Sequence, residues 1–222
     1  AIDSEIGGAW DEARAMVDEL IPGYSESPFW IEPQTRVCRG RMAIAEGHVA
    51  RAVADADRAV ELVREGRSFQ SLCDPFAFRA RLHAELHEPD QARRLIRELL
   101  EIWLENRSGY LDPWVLEAWY AARHTGDEGR LAAAIESMPP NAWLRVASAM
   151  IERDFTGAVD QLEEMGAASC AALARLWTSE WLVENGRAAD APQFLEPSLA
   201  FWRSVGAPAY AQRGESLLAA AS

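Results

Sequence analysis

The chain has 222 residues, 49% of them apolar, and a formal net charge of −13 at pH 7. This apolar content is ample for a buried core and argues against disorder. Because binding to phosphates needs local positive charge, the acidic balance makes nucleic acid and anionic membranes poor partners for the surface as a whole.

The cysteines and the N-terminus bear on the cellular compartment. Cys38, Cys73 and Cys170 lie far apart without a C-x-x-C pair, which favours neither a disulfide framework nor a thiolate metal site. The first residues lack a basic-then-apolar signal pattern, and no stretch approaches the ~18 apolar residues of a membrane span. We therefore expect a cytoplasmic protein that does not enter a membrane.

The hydrophobic pattern predicts helices throughout. Apolar residues recur at i, i+3, i+4 and i+7, whereas the alternating runs typical of strands are missing. Breaks rich in Gly, Pro, Ser and Asn fall, in chain order, at residues 21–28, 66–75, 88–89, 108–113, 126–129, 139–141, 166, 186 and 206–208. They separate all-α elements of about 11–18 residues.

A repeat emerges when the predicted helices are aligned on an anchor residue after each short turn. Successive anchors are 39, 40, 39, 27 and 33 positions apart: Ala13, Ala52, Ala92, Leu131, Ala158 and Ala191. The position five before each anchor is mostly glycine, which ends helices in the left-handed conformation: Gly8, Gly47, His87, Gly126, Arg153 and Gly186. Each unit is predicted to be an A helix, a tight turn and a B helix.

This pattern resembles the tetratricopeptide repeat, and its period is similar to the longer variety found in large bacterial regulatory ATPases. Residues 199–222, LAFWRSVGAPAYAQRGESLLAAAS, resemble the carboxyl terminus of bacterial proteins that join an adenylate or guanylate cyclase and an ATP-binding module to such repeats, and of related ATP-binding transcriptional regulators. In the cyclase family the repeats are not catalytic. The resemblance implies an α-solenoid over residues 1–222, forming a single tetratricopeptide-like superhelical domain.

The two ends of the predicted array differ. Only seven residues precede Gly8, too few for an A helix to cover the first B helix, whereas repeat arrays begin with a complete or capped unit. We therefore expect residues 1–25 to be a truncated first repeat of a longer protein. Residues 207–222 are expected to form a capping helix.

Six positions before the turn, the A helices carry Arg41, Arg81 and Tyr120. In tetratricopeptide proteins this position commonly lines the concave groove, so the resemblance implies a partner-binding groove with Arg41, Arg81, Tyr120 and Arg123. Its arginines would hold an acidic peptide by charge-assisted hydrogen bonds. The alternative is that they neutralise acids of neighbouring helices. On the first interpretation, replacing Arg41 and Arg81 by glutamate leaves folding intact and abolishes capture of an acidic partner.

A second arginine set lies eight positions before the turn, at Arg39, Arg79 and Arg145. It points about 160° away from the first set on an ideal helix, so only one set faces the groove. Nine tryptophans are present, several of them on predicted A helices. They suit either an apolar groove or the core, and we expect about two-thirds to be core.

No catalytic motif is recognised. His83 and His87 in HAELH share a helix face, but the motif is not H-E-x-x-H, and a metal site is not expected. Phosphate-binding loops, G-x-G-x-x-G and G-x-S-x-G are all missing. The sequence thus predicts no enzyme activity, no cofactor and no metal.

The function expected from sequence is therefore a non-catalytic interaction module. It would bind a protein, an acidic peptide or another domain of the same bacterial signalling or regulatory protein. The alternative is a ligand-sensing domain with a small molecule in an aromatic groove. An open groove flanked by arginine favours the peptide, and an enclosed pocket of ~300–1,000 Å³ lined by tryptophan favours the small ligand.

Overall fold

The computed structural model describes residues 1–24, 30–66, 72–106 and 113–220. The elements are α1 (Ile2–Ile6), α2 (Trp10–Gly23), α3 (Glu32–Glu46), α4 (Val49–Gly66), α5 (Cys73–Glu85), α6 (Pro89–Asn106), α7 (Trp114–Thr125), α8 (Glu128–Glu136), α9 (Ala142–Glu152), α10 (Phe155–Glu164), α11 (Ala168–Glu184), a 3₁₀ turn (Ala188–Asp190), α12 (Pro192–Ser204) and α13 (Pro208–Ala220). These ranges contain helices and turns but no strand, which confirms the all-α prediction.

Parts of several predicted features lie outside the described residues. These parts are residues 25–28, 67–71 and 108–112 of the predicted breaks and residues 221–222 of the predicted capping helix. Where the structure describes them, the first unit and the capping helix coincide with α1–α2 and with α13. The few residues before Gly8 include the short helix α1, whose Glu5 is buried.

Tight left-handed turns join the helices of each pair, as the repeat predicts. All six predicted turn positions have positive φ, including the two without glycine, His87 (φ 61°) and Arg153 (φ 67°). Gly166 and Gly206 adopt the same conformation between α10 and α11 and between α12 and α13. Helices from α9 onward are therefore joined by short turns throughout. The B helices α8 and α10 have 9 and 10 residues, whereas α4 and α6 have 18 each, which shortens the later repeat intervals.

Neighbouring helices pack in chain order. The pairs α3 with α4, α5 with α6, α9 with α10 and α11 with α12 each form an interface, and α3, α5, α7 and α9 also pack side by side. Each helix thereby covers the apolar face of the next, an arrangement compatible with a solenoid of helix pairs.

The two ends of the chain also meet. Both α1 and α13 pack against α3 and α11. The indole of Trp10 donates a 2.9 Å hydrogen bond to Ser169 Oγ, and its ring lies 5.8 Å from that of Trp202. Arg14 Nη2 donates to the carbonyl of Val205 at 2.8 Å. The curve therefore closes on itself, with α13 on its inner side.

Tryptophans fill this core. Six of the nine are buried: Trp10, Trp103, Trp114, Trp119, Trp177 and Trp202. The rings of Trp103 and Trp114 meet edge-to-face with centroids 5.0 Å apart, a favoured aromatic geometry. The expectation that about two-thirds of the tryptophans are core is confirmed.

Close packing of α3 against α5 depends on a glycine. A Cβ on Gly40 would stand 2.6 Å from Cε1 of the fully buried Phe78. We expect Gly40→Ala to lower the free energy of unfolding by about 1–3 kcal/mol, since overpacking outweighs the gain in helix propensity. Urea unfolding monitored by tryptophan fluorescence measures this change.

The matched control is Gly129→Ala in α8, where a Cβ meets no atom within 4 Å. This change is expected to stabilise the protein by about 0.5–1 kcal/mol. Equal effects of the two substitutions would contradict the packing argument at Gly40.

Candidate functional site

The residues six positions before the turn face the interior of the curve. Arg41, Arg81 and Tyr120 are only 8%, 1% and 3% exposed. The second arginine set points away: Arg39 donates to both carboxylate oxygens of Asp55 in α4 at 2.8 and 2.6 Å. The structure thus assigns the inner face of the A helices to the first set.

Arg41 of α3 and Arg81 of α5 converge on one carboxylate of α7. Arg41 Nη2 donates to Glu117 Oε2 at 2.7 Å, and Arg81 Nη1 donates to Glu117 Oε1 at 2.8 Å. Arg41 also donates to Asp74. Neutralisation of neighbouring acids, the alternative left open by the sequence, therefore describes the contacts of both arginines.

Helix α13 adds a third arginine from the inner side. Arg213 donates to Glu85 Oε1 at 3.0 Å, to Glu180 Oε2 at 2.9 Å and to the hydroxyl of Tyr120 at 3.0 Å. Arg81 in turn donates to the hydroxyl of Tyr210. We call this set the inner network: Glu5, Arg41, Asp74, Arg81, Glu85, Glu117, Tyr120, Glu180, Tyr210 and Arg213.

Three of the four predicted groove residues thus come together, but with the chain's own side chains as partners. Arg123 lies apart and donates to Glu184 at the end of α11. Burial and pairing of Arg41 and Arg81 argue against the expectation that reversing both charges leaves folding intact. Two introduced carboxylates would face the four that these arginines now contact. Binding of an acidic partner by these residues stays a prediction.

The inner network contains more acids than bases. Its five carboxyl groups, Glu5, Asp74, Glu85, Glu117 and Glu180, face three guanidinium groups. Burial raises the pKa of Glu5 to about 7 against the attraction of Arg41, and burial likewise raises the pKa of Glu180. Burial disfavours ionisation of Glu85, but Arg81 and Arg213 outweigh it and lower the pKa of that carboxyl.

A small cavity lies at the centre of the inner network. It measures about 30 Å³ and is lined by Glu5, Trp10, Arg41, Glu117 and Trp202 among others. At roughly 10–15 Å³ for each water, it accommodates about two water molecules. Glu5 Oε2 has no hydrogen-bond partner among the described residues and lies 3.9 Å from Arg41 Nη1. Water is the natural partner for this oxygen.

A larger cleft of about 510 Å³, open to solvent, lies where α3, α5, α7 and α11 end, with α13 along one side. Its apolar wall comprises Ile44, Val49, Leu86, Val183 and Leu217. Its polar groups are Glu85, His87, Tyr120, His124, Glu180, Glu184, Tyr210 and Arg213. Two other clefts, of about 310 and 460 Å³, lie between consecutive helices instead.

Two features make the cleft suitable for binding. Val49 and Leu86 expose 38% and 37% of their surface, which leaves apolar area free to be covered. The rings of Tyr120 and His124 stack with centroids 4.3 Å apart. Burial lowers the pKa of His124, and repulsion by the positive charge of Arg123 lowers it further. At neutral pH the imidazole is therefore uncharged and is able to both donate and accept hydrogen bonds.

Sequence reasoning missed Glu117, Tyr210 and Arg213 as members of the site. Glu117 lies three residues before Tyr120 and so on the same helix face, a signal that was available. Arg213 carried no comparable signal, because its partners lie 33 to 128 residues away and α13 was expected to be a cap.

Within the described residues, no group of three or more His, Cys, Asp or Glu side chains is placed to hold a metal ion. His83 Nδ1 instead contacts Glu88 Oε2 at 2.5 Å. In the same part of the chain, no helix combines the length and apolar character needed to cross a membrane.

These features define an all-α protein of sequential helix pairs, with the inner network on the inner face of the A helices and an open cleft at one end of these helices. No protein-family model matches the chain, and comparison with curated proteins and with solved structures finds no match either.

Proposed function

We propose that this chain is a non-catalytic binding module whose cleft takes a segment of another protein, or of another domain of the same polypeptide. The observation that carries the proposal is the cleft itself. Exposed apolar side chains form one wall, and a few polar groups converge beside it at the ends of four helices, the combination typical of binding sites.

The contacts of the inner network support a role without chemistry. Arg41, Arg81 and Glu117 are engaged with one another, as expected of groups that fix the packing of helices. The proposal extends to a cytoplasmic place in a larger bacterial signalling or regulatory protein, such as an ATPase, a cyclase or a transcriptional regulator. That extension rests on the resemblance of the repeats and of residues 199–222.

A second candidate function is the sensing of a small ligand. The cleft volume of about 510 Å³ lies within the ~300–1,000 Å³ common for small-molecule sites. However, the cleft is open, and its aromatic residues are tyrosine and histidine instead of tryptophan. The openness of the cleft favours a polypeptide segment as the ligand, whereas only its volume favours a small molecule.

Photo-crosslinking in cells that naturally produce the protein tests the binding module. Val49 is replaced by the photo-reactive amino acid benzoylphenylalanine, and the products are identified by mass spectrometry. We expect one recurrent polypeptide crosslink, which disappears when Leu86→Asp is added, because a buried charge disrupts apolar contacts. Leu104→Asp is the control, since Leu104 is 42% exposed and lies outside the cleft.

Persistence of the crosslink in the Leu86→Asp variant, or its equal loss in both variants, would reject the cleft as the binding surface. Loss in the Leu86→Asp variant alone supports it.

A further inference from the structure

The walls of the cleft carry more negative than positive charge. Three carboxylates line it, Glu85, Glu180 and Glu184, against the single guanidinium of Arg213. Arg213 already donates hydrogen bonds to Glu85 and Glu180. Arg123, which is not part of the cleft lining, donates to Glu184. Glu184 remains 56% exposed, so solvent and a ligand both have access to its carboxylate.

Helix ends add to this negative charge. The carboxyl ends of four helices line the cleft. These helices are α3, α5, α7 and α11, which contribute Gly47, Leu86, His124 and Glu184 respectively. The carbonyl groups at the carboxyl end of a helix carry a partial negative charge of about half an electron, which favours nearby cations. Two helices present their amino ends here, α4 through Val49 and α13 through Ala209, so carboxyl ends outnumber amino ends by four to two.

The chain itself shows what this environment accepts. Helix α13, which lies along one side of the cleft, places Arg213 against Glu85 and Glu180 and contributes Leu217 to the apolar wall. The Arg213 guanidinium carbon lies 5.9 Å from the ring centre of Tyr210, within the range of cation–π attraction. The site is therefore built to accept a guanidinium next to an aliphatic side chain.

We propose that the occupant of the open part of the cleft is a cationic amphipathic segment of a partner polypeptide. Its arginine or lysine lies against Glu184 and the half-buried ring of His124. Its apolar residues cover Val49 and Leu86. The net charge of −13 speeds the approach of such a partner and makes its binding sensitive to salt. This inference rests on the proposed binding function.

The test uses three fluorescein-labelled peptides of about 12 residues, with leucine at the same positions and with arginine, glutamine or glutamate at the others. Binding to the full chain is followed by fluorescence anisotropy. We expect the arginine peptide to bind at least about tenfold more tightly than the glutamine peptide and the glutamate peptide not to bind. Raising the salt concentration to about 0.5 M should weaken binding of the arginine peptide more than binding of the glutamine peptide.

The matched variants are Leu86→Arg and Leu104→Arg, which change the net charge equally. We expect Leu86→Arg to lower the affinity for the arginine peptide by at least about tenfold, since the substitution adds a positive charge at the cleft. Leu104→Arg, which lies outside the cleft lining, should leave binding nearly unchanged. Equal effects of the two variants would mean nonspecific attraction and would overturn the inference.

The remaining outcomes separate this inference from the proposed function. If the glutamine peptide binds as tightly as the arginine peptide and Leu86→Arg abolishes both, the charge assignment is wrong and the binding module stands. Failure of all three peptides overturns the inference, and the crosslink from position 49 then decides the proposed function independently. Binding of octylammonium, lost in the Leu86→Arg variant, without peptide binding would favour the small-ligand alternative.

Discussion

Replacing Glu117 by alanine is expected to lower the free energy of unfolding by about 3–5 kcal/mol, because the guanidinium groups of Arg41 and Arg81 then remain buried without their shared carboxylate. Glu117 is 2% exposed and contacts both arginines. The midpoint of urea unfolding at neutral pH, with the slope held constant, measures the loss.

Two further substitutions separate charge from volume. Glu117→Gln keeps the shape of the side chain but removes the charge, so we expect a smaller but still clear loss. Glu136→Ala, an exposed position in α8, should change the stability by no more than about 0.5 kcal/mol. If Glu117→Ala cost no more than Glu136→Ala, the inner network would not hold the helices together.

The second large effect concerns Glu5 and pH. Burial raises the pKa of this carboxyl from 4.5 to about 7 in the folded protein, so the folded state binds more protons than the unfolded state between these values. The stability that Glu5 contributes is complete below pH 4.5 and is lost as the pH rises through 7. By linkage the difference is about 3 kcal/mol.

The variant Glu5→Gln should remove this dependence, because an amide does not ionise. We expect it to be about 3 kcal/mol more stable than the wild type at pH 8, relative to their difference at pH 4.5, in urea unfolding. Glu12→Gln in α2, an exposed acid, should show no such change. A constant difference between wild type and Glu5→Gln across this range would show that folding does not raise the pKa of Glu5.

The helices and their turns were predictable because their signals are local. A left-handed residue five positions before a small anchor identified the turns at His87 and Arg153 even without glycine. The spacing of Arg41 and Arg81 relative to these turns also predicted that they share one face of the array. Both features depend on helix periodicity, which is visible in the spacing of residues along the sequence.

The partners of those arginines were not predictable in the same way. Arg41 and Glu117 are 76 residues apart, and Arg213 and Glu85 are 128 apart. The first pair depends on how α3, α5 and α7 pack side by side. The second forms only because α13 lies on the inner side of the curve, which depends on the summed geometry of every preceding helix pair. The acidic-peptide prediction was based on an open groove in which these arginines face a partner, whereas their partners are Asp74, Glu85 and Glu117 of α5 and α7.

The meeting of α2 with α12, through Trp10 and Trp202, has a consequence for folding. In an open repeat array each unit touches only its neighbours, so units fray from the ends and duplication of one unit is tolerated. Here the contact between α2 and α12 joins residues almost 200 positions apart in the sequence. This raises the contact order, which slows folding, and it couples the unfolding of α2 to that of α12.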